Sequence, residues 1–457
     1  MVGAIALGTL LNPLNSSMIA VALISLHSYF GISVATVTWL VSGFYLAAAV
    51  GQPLMGRFAD LFGPRRIFCS GMLLVCVTSA LAPWVPAFGW LVALRVLQAF
   101  GTSAAYPSGL AIMRTFAQQA AGESETEVRP PASALGVLTI TGNVSAALGP
   151  TLGGFLIVVI GWPAIFLVNV PFTLLAFILA LRWLPADKPG RLRINDAPGS
   201  RSLVAIVHEV LRLVDLPGIM LFSGTLVSLL VFLLSMSIRL LWLLAVVMVS
   251  AVLLNLWERR ASSPFFNVRM LASNRRLIGI YAQFAAVNIV FYSIFFGLPL
   301  WLEQVRGFNP GLTGLIMLPF AGMGILSTFL AVRIIRRWGI KPSLVFGALA
   351  LSVGTLLLLL FEPMMPITVL VGFVLVLGIP NGFQSLGLQT ALYETAPAKE
   401  MGAAAGLFQT FRYVGSILSA SLLGLVFSNS VSSAGLHTIA LVIAVVSVVL
   451  LVVAVRS

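Results

Sequence analysis

The chain has 457 residues, of which 60% are apolar and only 9% charged, against roughly 25% charged in soluble domains. A water-facing surface cannot be assembled from what remains, so a soluble fold is excluded and a polytopic membrane protein is expected. The net charge of +13 does not imply nucleic acid, because the basic residues fall in short loops between apolar runs, where lipid headgroups and insertion topology account for them.

Apolar runs bounded by charge, Pro and Gly predict helices near 3–25, 36–56, 67–86, 88–114, 133–159 and 162–183. A further pair follows at 216–236 and 240–257, joined near Ser237 to Arg239. Six more lie near 277–302, 310–332, 342–361, 366–390, 401–428 and 437–455. The expected fold is therefore all-α and integral to the membrane, with fourteen transmembrane helices. Residues 1–184 form an N-terminal six-helix bundle, 185–214 a cytoplasmic linker, 215–257 an extra transmembrane hairpin and 258–457 a C-terminal six-helix bundle. The first run lacks a basic leader and reads as an uncleaved span. Within the linker, Arg201 to Val214 reads either as a short interfacial helix or as an extension of the next span. Cys69 and Cys76 are seven positions apart on one predicted helix, too far for a disulfide.

Charge supports the count. With both termini cytoplasmic, 22 of the 26 basic residues fall inside, Arg239 and Arg306 outside, and Arg95 and Arg412 within helices. A faint parallel repeat is also present: Arg57, Gly63 and Arg65 have counterparts in Arg333, Gly339 and Lys341 at an offset of 276, and Gly101 and Gly378 are 277 apart.

The turn Gly56-Arg57-Phe58-Ala59-Asp60-Leu61-Phe62-Gly63-Pro64-Arg65-Arg66 stands between two uncharged runs. Its glycines permit close helix approach, Pro64 suits a first helical position, and Asp60 can pair with an arginine or a helix N-terminus. The pattern resembles the cytoplasmic signature between the second and third helices of the major facilitator superfamily. That resemblance implies two six-helix bundles and a conformational lock at Gly56, Arg57, Asp60, Gly63, Arg65 and Arg66.

In the fourth span Arg95 is followed at three-residue steps by Gln98 and Gly101. An arginine within a span is a functional site by default, and Arg95 is expected to face a cavity and to serve transport more than folding. The pattern also resembles the family's fourth-helix signature, whose arginine is implicated in proton coupling. In the fifth span Ser145, Gly149 and Gly153 repeat every four residues, a stripe able to seat a neighbouring helix. Together with Pro150 and Gly154 they resemble the antiporter signature of this superfamily. The segment from Trp162 to Pro171 looks like one typical of fourteen-helix drug:proton antiporters, with Pro163 where that subfamily usually has Arg.

The subfamily commonly carries an aspartate where this chain has Asn15. None of the thirteen acids or three histidines is expected at mid-membrane, so the interior reads as cationic, with Arg95 and Arg412 unpaired by an acid. Such a cavity favours anionic, zwitterionic or neutral amphiphiles. Candidates for substrate binding or coupling are Asn12, Asn15, Arg95, Gln98, Asn143, Gln283, Asn288, Tyr292, Gln384, Gln409 and Arg412, with Gln52 and Asn381 as further polar lining.

These features predict a secondary active exporter of small amphipathic molecules or drugs, monomeric, embedded in lipid at the cell membrane, taken as a bacterial inner membrane. Proton antiport is what the resemblance implies, and Asn15 argues against it. No catalytic residues, cofactor or metal are expected. A membrane transferase would need clustered Asp, Glu or His at a membrane face, which the sequence does not offer; a non-transporting sensor on the same fold is the other alternative.

Overall fold

The computed structural model describes residues 1–32, 34–37, 39–121, 132–187, 215–235, 238–261, 274–397, 400–427 and 430–456. The expected interfacial helix at 201–214, the acidic loop around 123–127 and the hairpin join at 237 lie outside them. Each long apolar run forms a helix, because a backbone in hydrocarbon must satisfy its own polar groups. The N-terminal half consists of α1 (Val2–Phe30), α2 (Trp39–Phe62), α3 (Pro64–Leu81), α4 (Phe88–Ser103), α5 (Ala105–Ala121), α6 (Ala132–Val159) and α7 (Asn169–Trp183). The hairpin is α8 (Leu216–Ser235) and α9 (Trp242–Glu258). The C-terminal half comprises α10 (Arg275–Gln304), α11 (Pro310–Trp338), α12 (Ile340–Leu357), α13 (Ile367–Thr395), α14 (Met401–Val426) and α15 (Ser433–Arg456).

Among the described residues, nine helical stretches are long and apolar enough to cross a membrane; Val21–Phe30 and Trp242–Glu258 are shorter apolar helices. Several boundaries differ from the expectation. The fourth run is not one helix to residue 114 but two, α4 and α5, parted at Ala104, whose amide bonds back to Gly101 in a tighter turn. Pro107 just beyond lacks the N–H that would continue the ladder. The first run extends to Phe30, where Gly31 ends it in the left-handed conformation at φ 62°. α11 continues past residue 332 to Trp338, its last turn carrying Arg336 and Arg337, charges that suit a helix C-terminus.

The two halves repeat one packing plan. α1 packs on α6, α2 on α4, α3 on α4 and α3 on α7; the counterpart pairs are α10 on α14, α11 on α13, α12 on α13 and α12 on α15. Gly63 and Gly339 both stand at positive φ, 103° and 85°, between consecutive helices, a conformation for which glycine is the least strained residue. Gly71 and Gly347 keep the same 276-residue offset: a Cβ at Gly71 would strike Ala104 and the Gly101 carbonyl, and one at Gly347 would crowd Phe383 and Gln384. The Gly101 and Gly378 pair is less equivalent, since Gly101 faces α3 whereas Gly378 faces Phe320 of α11.

The small-residue stripe of α6 seats α1. A Cβ on Gly149 would overlap Ser17, and one on Gly153 would press on Met18, while Ser145 is buried and returns its hydroxyl to the Thr141 carbonyl. Close backbone approach of this kind replaces the hydrophobic driving force that lipid cannot supply between helices.

The hairpin is a packed unit joined to both halves. Thr225 donates to Ser250 across it at 2.8 Å, and Trp257 Nε1 donates to Asp215 Oδ1 at 2.7 Å. Leu226 and Leu230 of α8 share an apolar cluster with Phe44 and Ala48 of α2 and with Tyr413 and Ile417 of α14, and Ser421 of α14 donates to the Leu233 carbonyl. Asp215 and Glu258, read from the sequence as loop acids, are both buried at the foot of this hairpin.

Candidate functional site

The halves meet most closely at the end of the molecule that carries the Gly56 to Arg66 turn, here the basic face. Gly56 of α2 and Gly402 of α14 lie backbone to backbone, and a Cβ at either would overlap the other's carbonyl; Gly406 is likewise pressed on Gln52. Asp60 accepts from the amides of Gly402 at 3.0 Å and Ala403 at 2.9 Å, the unsatisfied first-turn donors of α14, where negative charge is favoured. One helix back, Arg114 of α5 donates to the carbonyls of Tyr393 at 2.7 Å and Ala396 at 2.8 Å, at the C-terminus of α13, where positive charge is favoured. An anion and a cation of the N-terminal half thus hold the two helix ends on either side of one short connection in the C-terminal half.

The turn's other members work inside the N-terminal half. The backbone amides of Arg65 and Arg66 donate to the two carboxylate oxygens of Asp187 at 2.9 and 3.0 Å, and the Arg65 guanidinium donates to the Leu181 carbonyl. Asp187 therefore caps α3, and a Cβ on Gly63 would overlap it. Arg57 is buried.

Above this closure, near mid-depth, lies a cavity of about 920 Å³ between the halves. The N-terminal half lines it with Asn12, Gln52, Thr102, Thr139 and Asn143. Opposite stand Asn288, Tyr292, Asn381, Ser385, Gln389, Gln409 and Arg412, with Phe284, Phe291 and Phe295 as an aromatic wall. Direct bonds cross between the halves here too. Tyr413 OH donates to Asn12 Oδ1 at 2.8 Å, Asn381 Nδ2 to Asn143 Oδ1 at 3.0 Å, and Thr139 to Gln389 Oε1 at 3.2 Å. These are neutral, directional contacts, each worth about 1 kcal/mol in a membrane protein.

Of the expected binding or coupling residues, Asn12, Asn143, Asn288, Tyr292, Gln409 and Arg412 line this cavity. The expectation that Arg95 faces it is corrected. Arg95 is 2% exposed and turned into the N-terminal half, donating to the Asn15 carbonyl at 2.8 Å and to Gln98 Oε1 at 2.5 Å, with its guanidinium 4.2 Å from the centre of the Phe44 ring. Gln98 passes the chain of bonds to Ser79 at 2.7 Å.

Asn15 is the hub of that network. It donates to the Leu11 carbonyl at 2.9 Å while its own oxygen accepts from Asn169 at 2.9 Å and from Arg95 at 3.4 Å. An ionised aspartate in its place would have no proton for Leu11, so the amide fits the site as folded. Gln384 is held by the Leu344 carbonyl between α13 and α12, and Gln283, though on α10, is not among the residues that bound the cavity.

Three contributors carry no signal in the sequence that separates them from other loop or helix-end residues: Arg114, Asp187 and Asn169. The one available clue for Arg114 is a lone cation at the end of a span. No carboxylate lines the cavity, and among the described residues no group of His, Cys, Asp and Glu is placed to hold a metal ion.

An all-helical fold of two like halves around a central polar cavity defines a membrane transporter rather than an enzyme. The chain belongs to the Major Facilitator Superfamily, whose pattern it matches over residues 5–420; it is a multi-pass membrane protein of that transporter family. It is 39% identical over 456 residues to the uncharacterized MFS-type transporter YwoD of Bacillus subtilis, covering 99% of this chain and 95% of that one. It is also 28% identical over 438 residues to the multidrug resistance protein Stp of Mycobacterium tuberculosis, covering 94% of this chain and 76% of the relative. Among solved structures it superposes with a TM-score of 0.66, at 15% identity and 98% coverage of both chains, on the human organic anion transporter MFSD10. At that identity the likeness concerns the fold alone.

Proposed function

We propose that this chain is a secondary active exporter of small amphipathic molecules, working by alternating access between the two halves. Its basic face is cytoplasmic by the distribution of Lys and Arg, both termini lie on that side, and α8 and α9 complete a fourteen-helix arrangement. The observation that carries the reading is the division of labour along the molecular axis. Breakable contacts close one end, a polar and aromatic cavity lies at mid-depth, and the bonds that cross it are weak enough to exchange for a ligand. The names of relatives such as Stp support drug-like substrates, and the close packing of Ser145, Gly149 and Gly153 on α1 agrees with an antiporter-like fifth span.

Proton antiport has little to work with here. A coupling group needs a proton affinity that changes with conformation, yet Asn15 does not titrate and no carboxylate lines the cavity. Asp60, expected from the sequence to stay solvated, is instead tied to α14, so its role is in the closure itself. Substrate gradients, exchange or membrane potential are the proposed drive.

The test is efflux from proteoliposomes loaded with 2-naphthoate, with 2-naphthamide or with tetraphenylphosphonium, at clamped potential, with and without an imposed pH gradient. The expected result is protein-dependent efflux of at least one probe that changes less than twofold with the gradient. No transport of any probe contradicts the function, and strong stimulation by the gradient contradicts the coupling.

A further inference from the structure

Two arginines stand inside the membrane region, and the structure treats them differently. Arg95 has its charge spread over a carbonyl, an amide oxygen and an aromatic face within one half. Arg412, on α14, is half-exposed on the cavity wall. Its Nε donates to Tyr292 OH at 3.1 Å, and its two terminal nitrogens make no hydrogen bond to any described residue. Nor does any carboxylate line the cavity to neutralise it. A guanidinium in a low-dielectric site with no anion beside it is costly, and the cost falls when a ligand supplies the missing charge.

The orientation of that group is itself informative. With Nε tied to Tyr292, the guanidinium presents the planar fork of its terminal N–H groups to the cavity, the geometry that matches two oxygens of a carboxylate or sulfonate. Beside it runs an apolar wall. Phe291 and Phe295 stack with ring centres 5.7 Å apart, and Tyr292 stacks on Phe296 at 5.5 Å, so the residue that fixes the arginine belongs to the aromatic cluster. Asn12, Asn288 and Gln409 add neutral donors and acceptors and no second charge.

Resting on the reading of this cavity as the substrate site, we propose that Arg412 selects a monoanionic aromatic substrate, its carboxylate or sulfonate held in the Arg412 fork and its ring against Phe291 and Phe295. A cation meets a like charge with no acid to offset it, and a neutral isostere leaves the fork unfilled. Discrimination against both therefore arises from one residue.

The experiment is equilibrium binding to the purified full chain in lipid nanodiscs at about pH 7.5, where an aryl carboxylate is ionised. The probes are 2-naphthoate, its neutral isostere 2-naphthamide and the cation 2-naphthylmethylammonium. The expected result is at least tenfold tighter binding of the anion than of the amide, with the cation weakest. Arg412→Gln should bring anion and amide within twofold of each other, whereas Tyr292→Phe, which keeps the charge, should retain most of the preference. Equal binding of anion and amide by the unaltered protein, or tighter binding of the cation, overturns the proposal without recourse to any variant; so does a preference that survives Arg412→Gln. An anion preference without transport in the liposome assay would contradict the proposed function alone, and transport of the cation with no anion preference would contradict the Arg412 assignment alone.

Discussion

Gly406→Leu should abolish transport while leaving the protein folded. Gly406 sits where α14 crosses α2, with no room for a Cβ against the Gln52 carbonyl and Pro53, and both neighbours are backbone that cannot swing aside. Forcing a leucine into such a contact costs about 3 kcal/mol, and it is levied only on the conformation in which the halves meet at the basic face. A bias of that size lowers the closed population by about 10²-fold relative to the open one. Each half keeps its own packing, so membrane yield and detergent stability should stay near those of the unaltered protein while efflux falls at least tenfold. Normal efflux from Gly406→Leu would mean that closure at this crossing is not a step of the cycle.

The second large effect is expected in stability. Arg95→Gln removes the donor that reaches the Asn15 carbonyl and Gln98 Oε1. Buried acceptors left without a partner cost about 1–3 kcal/mol each, toward the lower end in membrane proteins, so a loss of about 2–4 kcal/mol is expected. Thermal unfolding in detergent should show a lower midpoint and reduced yield, and the fraction that folds should transport at a rate within a few-fold of the parent. This reverses what the sequence suggests, where a lone arginine in a span reads first as functional. Unchanged stability with lost transport would restore the sequence-based view and make Arg95 a coupling residue.

The reversal shows where legibility ends. Helix positions were readable because each run had to be long, uncharged and bounded, and most boundaries fall within a few residues of the structure. The conformational role of the Gly56 to Arg66 turn was also readable, since glycine, proline and an acid at fixed spacing admit few arrangements. Facing was not readable. A transmembrane helix is apolar on its lipid side and nearly so on its packed side, so periodicity does not say which polar residue looks into a cavity. Arg95 and Arg412 therefore look alike in sequence, and only packing turns one into its own half and the other toward the opening. Arg114 and Asp187 escaped notice for a different reason: each acts on backbone groups of a distant helix end, a partner with no side-chain signature.

Closure at the basic face as an obligatory, reversible step is tested most directly by a cross-link across it. Thr139 and Gln389, bonded at 3.2 Å between α6 and α13, can be replaced by a cysteine pair and joined with a short thiol-specific bifunctional reagent that a reductant cleaves. Efflux should stop on cross-linking the double variant, return on reduction, and be unaffected by the same treatment of either single variant. Efflux that continues with the two halves covalently joined at this point would contradict alternating access through this interface.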